Sequence, residues 1–217
     1  MADTLSVPNK TPKTSDDGGS GSHFIDKGFG DYGSGDEAAQ RIETAKLGIW
    51  VALGSITMLF AAFTSAYIVR SAGDDWIPLE VPPILWLNTA VLLLSSVAME
   101  IARRAFVVWR PVAFRKWLLA TAILGVLFLA GQLVAWGQLA AQGIYLQSHP
   151  HSSFFYVLTG VHGVHLLVGI LALFYVLALA TRYRLTPGES SSPSVCATYW
   201  HFVGGIWLYL MVVLFYV

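Results

Sequence analysis

WLLATAILGVLFLAGQLVAWGQLAAQGIYLQSHPHSSFFYVLTGVHGVHLLVGILALFYVLALAT, residues 117–181, contains no Asp, Glu, Lys or Arg in 65 positions. A helix needs about 20 apolar residues to cross the roughly 30 Å hydrocarbon core of a bilayer. The run is too long for one crossing and suits two, divided near Gln142–Ser153 where Gln, Ser, His and Pro gather. Such a stretch identifies the solvent as lipid, and lipid requires backbone N–H and C=O groups to be paired internally.

Three further apolar stretches flank it, at about 47–70, 81–101 and 198–217, and the long run divides into 117–141 and 153–181. The expected fold is therefore all-α, an integral membrane bundle of five transmembrane helices spanning residues 46–217. The composition agrees: 55% of residues are hydrophobic and 12% charged, against roughly 25% charged in soluble domains. Residues 1–45 differ in kind. Segments such as Asp16-Asp17-Gly18-Gly19-Ser20-Gly21-Ser22 read as a flexible polar tail. Phe24, Ile25, Phe29 and Tyr32 are the residues with which that tail could dock on a partner. It lacks the basic start and apolar segment of a signal peptide.

Charge orients the bundle. Thirteen basic residues balance thirteen acidic ones overall, yet twelve of the basic residues fall on one side of the spans and only Arg70 borders the other. The positive-inside rule places the N-terminus in the cytoplasm and the C-terminus outside, as an odd number of spans requires. Small residues along the first span (Gly48, Ala52, Gly54, Ser55, Ala61, Ala62, Ser65 and Ala66) predict close helix approach. Trp76, Trp86, Trp109, Trp117 and Trp200 lie near span ends and read as an interface belt.

Few residues in the spans can carry chemistry. His162 and His165, three apart, share a helix face, with Gly160, Gly163 and Gly169 nearby. His201 opens the last span, and His149 and His151 flank Pro150. The pair could be hydrogen-bonded across a tight glycine-lined packing, could ligate haem or a metal, or could contact lipid or a partner. Glu100 ends the second span beside Arg103 and Arg104, which reads as a neutralised pair. Asn88, Thr89, Gln132 and Gln138 suit interhelical hydrogen bonds. The single Cys196 excludes an internal disulfide and a cysteine metal cluster. With no phosphate-binding glycine loop, zinc-protease pair or nucleophile elbow, soluble-enzyme readings fall away.

These segments together resemble subunit III of the haem–copper respiratory oxidases, in its short five-helix form. Tyr199-Trp200-His201-Phe202-Val203-Gly204-Gly205-Ile206-Trp207 resembles the family's closing motif, and Thr159-Gly160-Val161-His162-Gly163-Val164-His165 its Thr-Gly-x-His-Gly-x-His element. Asn88-Thr89 with Ser95-Ser96, and Gly131-Gln132 with Trp136, resemble its polar helix patterns. The resemblance implies a non-catalytic subunit of a cytochrome c or quinol oxidase. It implies direct contact with subunit I, association with subunit II, haem and copper in those partners and none bound here. It also implies structural phospholipid and a place in a larger respiratory supercomplex, in a bacterial inner membrane, with no role for nucleic acid. His162, Gly163, His165, Trp200, His201, Asn88, Gln132 and Trp136 become candidates for structural, partner or lipid contact. Three membrane carboxylates of the family are replaced here by Ile56, Ala135 and Gly204. That favours support of complex stability, lipid binding and oxygen access over proton handling. An accessory subunit linked to nitric oxide reductase, or a stand-alone haem-binding membrane protein, are the alternative readings.

Overall fold

The computed structural model describes residues 32–73, 83–145, 150–182 and 192–216, with side chains from Glu43 to Phe215. By internal contacts the chain divides into Met1–Glu37 and Ala38–Val217, and the architecture below is that of the second unit. Residues 1–31, Trp76 and His149 lie outside the described residues.

Among the described residues the chain forms five helices: α1 (Tyr32–Ser71), α2 (Ile84–Val107), α3 (Pro111–Ala141), α4 (Pro150–Thr181) and α5 (Ser192–Tyr216). All five are long and apolar enough to cross a membrane. At 1.5 Å per residue even α2, with 24 residues, is about 36 Å long, enough for the hydrocarbon core. The protein is a multi-pass membrane protein.

The helices extend past the apolar stretches. α1 begins at Tyr32, so residues 32–45, which composition assigns to a flexible tail, are helical. Ala38, Ala39, Gln40, Arg41 and Glu43 are good helix formers, and this outweighs their polarity. Likewise 102–116, apparently an interspan loop, is nearly all helix, leaving only Val108–Arg110 between α2 and α3. Arg103, Arg104, Arg115 and Lys116 continue these helices because long basic side chains can lie along apolar surface while their heads reach water.

α2, α3, α4 and α5 form a closed ring in which α2 packs on α3 and α5, and α4 packs on the same two. Its exterior is apolar: Leu93, Leu94, Val97, Leu127, Leu133, Val168 and Leu171 are exposed. The interior contains Asn88, Ser95, Thr121, Gln132, Thr159 and His162, all buried. Apolar outside and partly polar inside is the arrangement lipid selects, since a polar group facing hydrocarbon has no partner.

α1 is attached differently. Among the described residues it makes no close backbone contact with another helix, and a Cβ at Gly48 or Gly54 would meet nothing within 4 Å. The small residues of this span therefore do not bring backbones together, contrary to the sequence expectation. α1 is held instead by large side chains. Phe60 lies 5.6 Å from His165 and 6.4 Å from His162, and Tyr67 lies 5.8 Å from His151 and 5.7 Å from Phe154, between ring centroids. Toward α5 it leaves an apolar cleft of about 380 Å³, lined by Thr57, Phe60 and Ala61 on one side and Phe202, Gly205, Ile206 and Tyr209 on the other.

Candidate functional site

The polar residues singled out in the sequence lie in or beside the ring interior. His162, on α4, is fully buried. Phe60 of α1, Phe128 of α3 and Trp207 of α5 surround its imidazole, with Trp207 closest at 5.0 Å between centroids. Neither ring nitrogen has a hydrogen-bond partner within the described residues. Gly163 does not mark a close crossing, since a Cβ there would first meet the end of Leu129 at 3.9 Å. Of the three glycines expected to allow tight packing, Gly160 and Gly163 therefore do not mark it, whereas a Cβ at Gly169 would meet Tyr199 at 3.1 Å. Side chains, not a neighbouring backbone, occupy the space beside these glycines. His165 is half-buried and donates Nδ1–H to Val161 O of its own helix at 2.8 Å. That carbonyl lies one turn back, so the bond does not cross between helices. His201 is exposed.

The close crossings lie elsewhere and converge on Trp200. This residue is 1% exposed, so it belongs to the core and not to an interface belt. Trp86, Trp109 and Trp117 are exposed, as a belt requires. A Cβ at Gly125 of α3 would come within 2.7 Å of the Trp200 ring, and one at Gly169 of α4 within 3.3 Å. The indole therefore occupies a slot cut by two glycines, and its Nε1–H donates to Ser95 Oγ of α2 at 3.1 Å. Nearer the other end of α5, Trp207 Nε1–H donates to Thr89 Oγ1 of α2 at 3.0 Å. Trp200 and Trp207 are seven apart and so share a face of α5. Two indole bonds thus fix the register of α5 against α2. The sequence named Thr89 as an interhelical partner but did not single out Trp207 as its donor. The available signal was a hydroxyl in an apolar span, which needs a donor or acceptor nearby.

α3 and α4 are joined by a third indole bond, from Trp136 Nε1–H to Thr159 Oγ1 at 3.2 Å. Gln132 is one turn from Phe128, which meets His162, and one turn from Trp136, which meets Thr159. It therefore lies between those two levels, facing α4. Its carboxamide is buried without a hydrogen-bond partner among the described residues, as is Asn88 Nδ2. A Cβ at Gly131 would overlap the Asn88 carboxamide, so Asn88 is pressed on the backbone of α3. Gln138 is exposed.

At the far end of α1, Tyr67 and His151 form a second attachment the sequence did not reveal. Both are buried, and Tyr67 Oη lies 3.2 Å from His151 Nε2. Glu100 pairs with Arg103 through two contacts of 2.8 and 2.7 Å and with Arg104 at 2.9 Å, as expected of a neutralised cluster. At these exposures the pairs add less than about 1 kcal/mol. Among the described residues no three His, Cys, Asp or Glu side chains gather. The arrangement locks helices to one another through indole, hydroxyl and imidazole groups.

Comparison with known proteins agrees with this architecture. Residues 32–217 match the family described as cytochrome c oxidase subunit III. A probable cytochrome c oxidase subunit 3 of Mycobacterium leprae is 31% identical over 188 residues, covering 82% of this chain and 90% of that protein. The cytochrome c oxidase subunit 3 of Corynebacterium diphtheriae is 30% identical over 190 residues, covering 83% and 91%. That of Thermostichus vulcanus is 31% identical over 192 residues, covering 83% and 90%. With the family matched along all five described helices, the chain belongs to the cytochrome c oxidase subunit III family.

Proposed function

We propose that the chain is the accessory, non-catalytic subunit III of a bacterial terminal oxidase, seated in the inner membrane beside the subunits that hold haem and copper. The observation that carries this is the use of its interior. The indole groups of Trp136, Trp200 and Trp207 bond hydroxyls on neighbouring helices. The positions where the family often carries membrane carboxylates are Ile56, fully buried Ala135 and buried Gly204. Such an interior stabilises a scaffold and offers no chain of carboxylates for protons. Structural phospholipid and oxygen access belong to the same reading, and the apolar cleft between α1 and α5 accommodates acyl chain. The basic ends of the bundle face the cytoplasm in this proposal, subunit I is the direct partner, and subunit II completes the complex. Membership of a larger supercomplex is an extension of it.

The haem-binding alternative has less support, because Phe60, Phe128 and Trp207 already occupy the space around the His162 ring. The nitric oxide reductase alternative has no counterpart in the names of the relatives cited above. Gentle solubilisation of the native membrane, capture of this chain and identification of what accompanies it test the proposal. A haem–copper subunit is the expected companion. Its absence under conditions that keep other membrane complexes intact would refute the assignment.

A further inference from the structure

The corner between α2 and α3 is built with an unexpected residue. α2 ends in a pair of backbone bonds, Trp109 N–H to Phe106 O at 3.1 Å and Arg110 N–H to Ala105 O at 2.9 Å. That pattern places one residue in the left-handed region, where glycine is the usual choice. α3 ends with the same pattern, Gly143 N–H to Ala140 O and Ile144 N–H to Leu139 O, and there glycine takes the position with φ 76°. At the α2 end Trp109 occupies it with φ 54°. Left-handed backbone is unfavourable for a bulky residue and persists only where the surroundings impose it. Phe106 and Phe114, buried beneath the corner with centroids 5.1 Å apart, together with Pro111 at the start of α3, hold it in shape.

The geometry directs the indole outward. Trp109 is 58% exposed, beside Val107, Val108 and Val112, each at least 60% exposed. Five bases lie in residues 100–116 against one acid, Glu100. Arg103 and Arg104 pair with that acid, while Arg110 and Lys116 are exposed. Only Val108–Arg110 separates two membrane-spanning helices. A connection that short cannot carry its apolar residues far from the bilayer surface. An indole with apolar neighbours and a surplus of bases suits the headgroup layer of an anionic leaflet.

We propose that the α2–α3 corner is a docking site for anionic phospholipid headgroups of the leaflet at that end of the bundle. Arg110 and Lys116 meet the phosphates, and Trp109 with the three valines packs among the headgroups around them. The inference gives the lipid-holding part of the proposed function a location and a headgroup charge. It rests on the five-span fold and not on the identity of the oxidase partners.

The test is native mass spectrometry of the purified full chain in detergent with equal phosphatidylglycerol and phosphatidylcholine. Preferential retention of phosphatidylglycerol is expected. Arg110→Gln with Lys116→Gln should reduce that retention by roughly an order of magnitude. Arg70→Gln, which removes the base that borders the opposite side of the spans, should leave it unchanged. Trp109→Gly supplies the readout that a merely structural role would not move. Glycine suits the left-handed position, so the melting temperature should hold or rise while lipid retention falls. Unchanged phosphatidylglycerol retention in either corner variant overturns the proposal. So does a double variant that keeps its lipid but loses a co-purifying protein, which would assign the corner to an acidic partner segment. Failure to find oxidase subunits with the wild-type chain would refute the proposed function and leave this result untouched.

Discussion

His162 presents two ring nitrogens to a wall of side chains and bonds none of them. Burying a polar group without a partner is unfavourable, so an apolar replacement of similar reach should be tolerated. His162→Leu is expected to leave thermal stability in detergent within about 1 kcal/mol of the parent, or to raise it. A large loss in a melting curve would show that the imidazole has a partner beyond the described residues. Ala135 makes the opposite case. It is fully buried where the family often keeps a carboxylate. Ala135→Glu should cost about 3–5 kcal/mol, because it buries a carboxylate in an apolar interior. The check is the fraction of monodisperse protein recovered on size exclusion, with Ala135→Leu separating bulk from charge.

Between helices, glycine is informative only where something lies opposite it. Gly125→Ala would drive a methyl group to 2.7 Å from the Trp200 ring. Overpacking of this kind costs about 1–3 kcal/mol. Gly137 faces open space, so Gly137→Ala should gain up to about 1 kcal/mol from helix propensity. Opposite shifts in melting temperature are the expected result, and equal shifts would contradict the Trp200 slot. The sequence shows both glycines as small residues in one apolar helix. What separates them is the ring that another helix brings to Gly125, at a sequence distance no periodicity encodes. The same reasoning applies to Trp200, whose position near a span end suits an interface belt, whereas the notch formed by Gly125 and Gly169 draws it into the core.

At the scale of the molecule, the ring of α2–α5 and the outlying α1 should differ in rigidity. Phe60 and Tyr67 supply the described ring contacts that tie α1 to α4. Spin labels at Met58→Cys and Val212→Cys report the distance between α1 and α5 across the cleft, since both sites are exposed and native Cys196 is buried. Phe60→Ala with Tyr67→Ala should broaden that distance distribution several-fold while the ring keeps its own. A control pair at Leu94→Cys and Val134→Cys, exposed on α2 and α3, should remain narrow. Unchanged α1 distances would mean that other contacts hold the helix.

Residues 117–181 and the apolar stretches around them were enough to specify an all-helical chain crossing a membrane five times. Lipid permits few other ways of pairing a backbone, so hydropathy alone carries that conclusion. The histidine motifs were likewise enough to indicate the family. The helix lengths were not legible, because polar helix formers at 32–45 and 102–116 look like loop when only hydropathy is read. Nor were the partners of the motif residues. Which side chain faces Thr89, Ser95 or Thr159, and that His162 faces none that bonds it, depends on how four helices turn about their own axes. Helices apolar on all sides carry almost no rotational signal of their own. Only the meeting of glycine notches with indole rings determines that rotation.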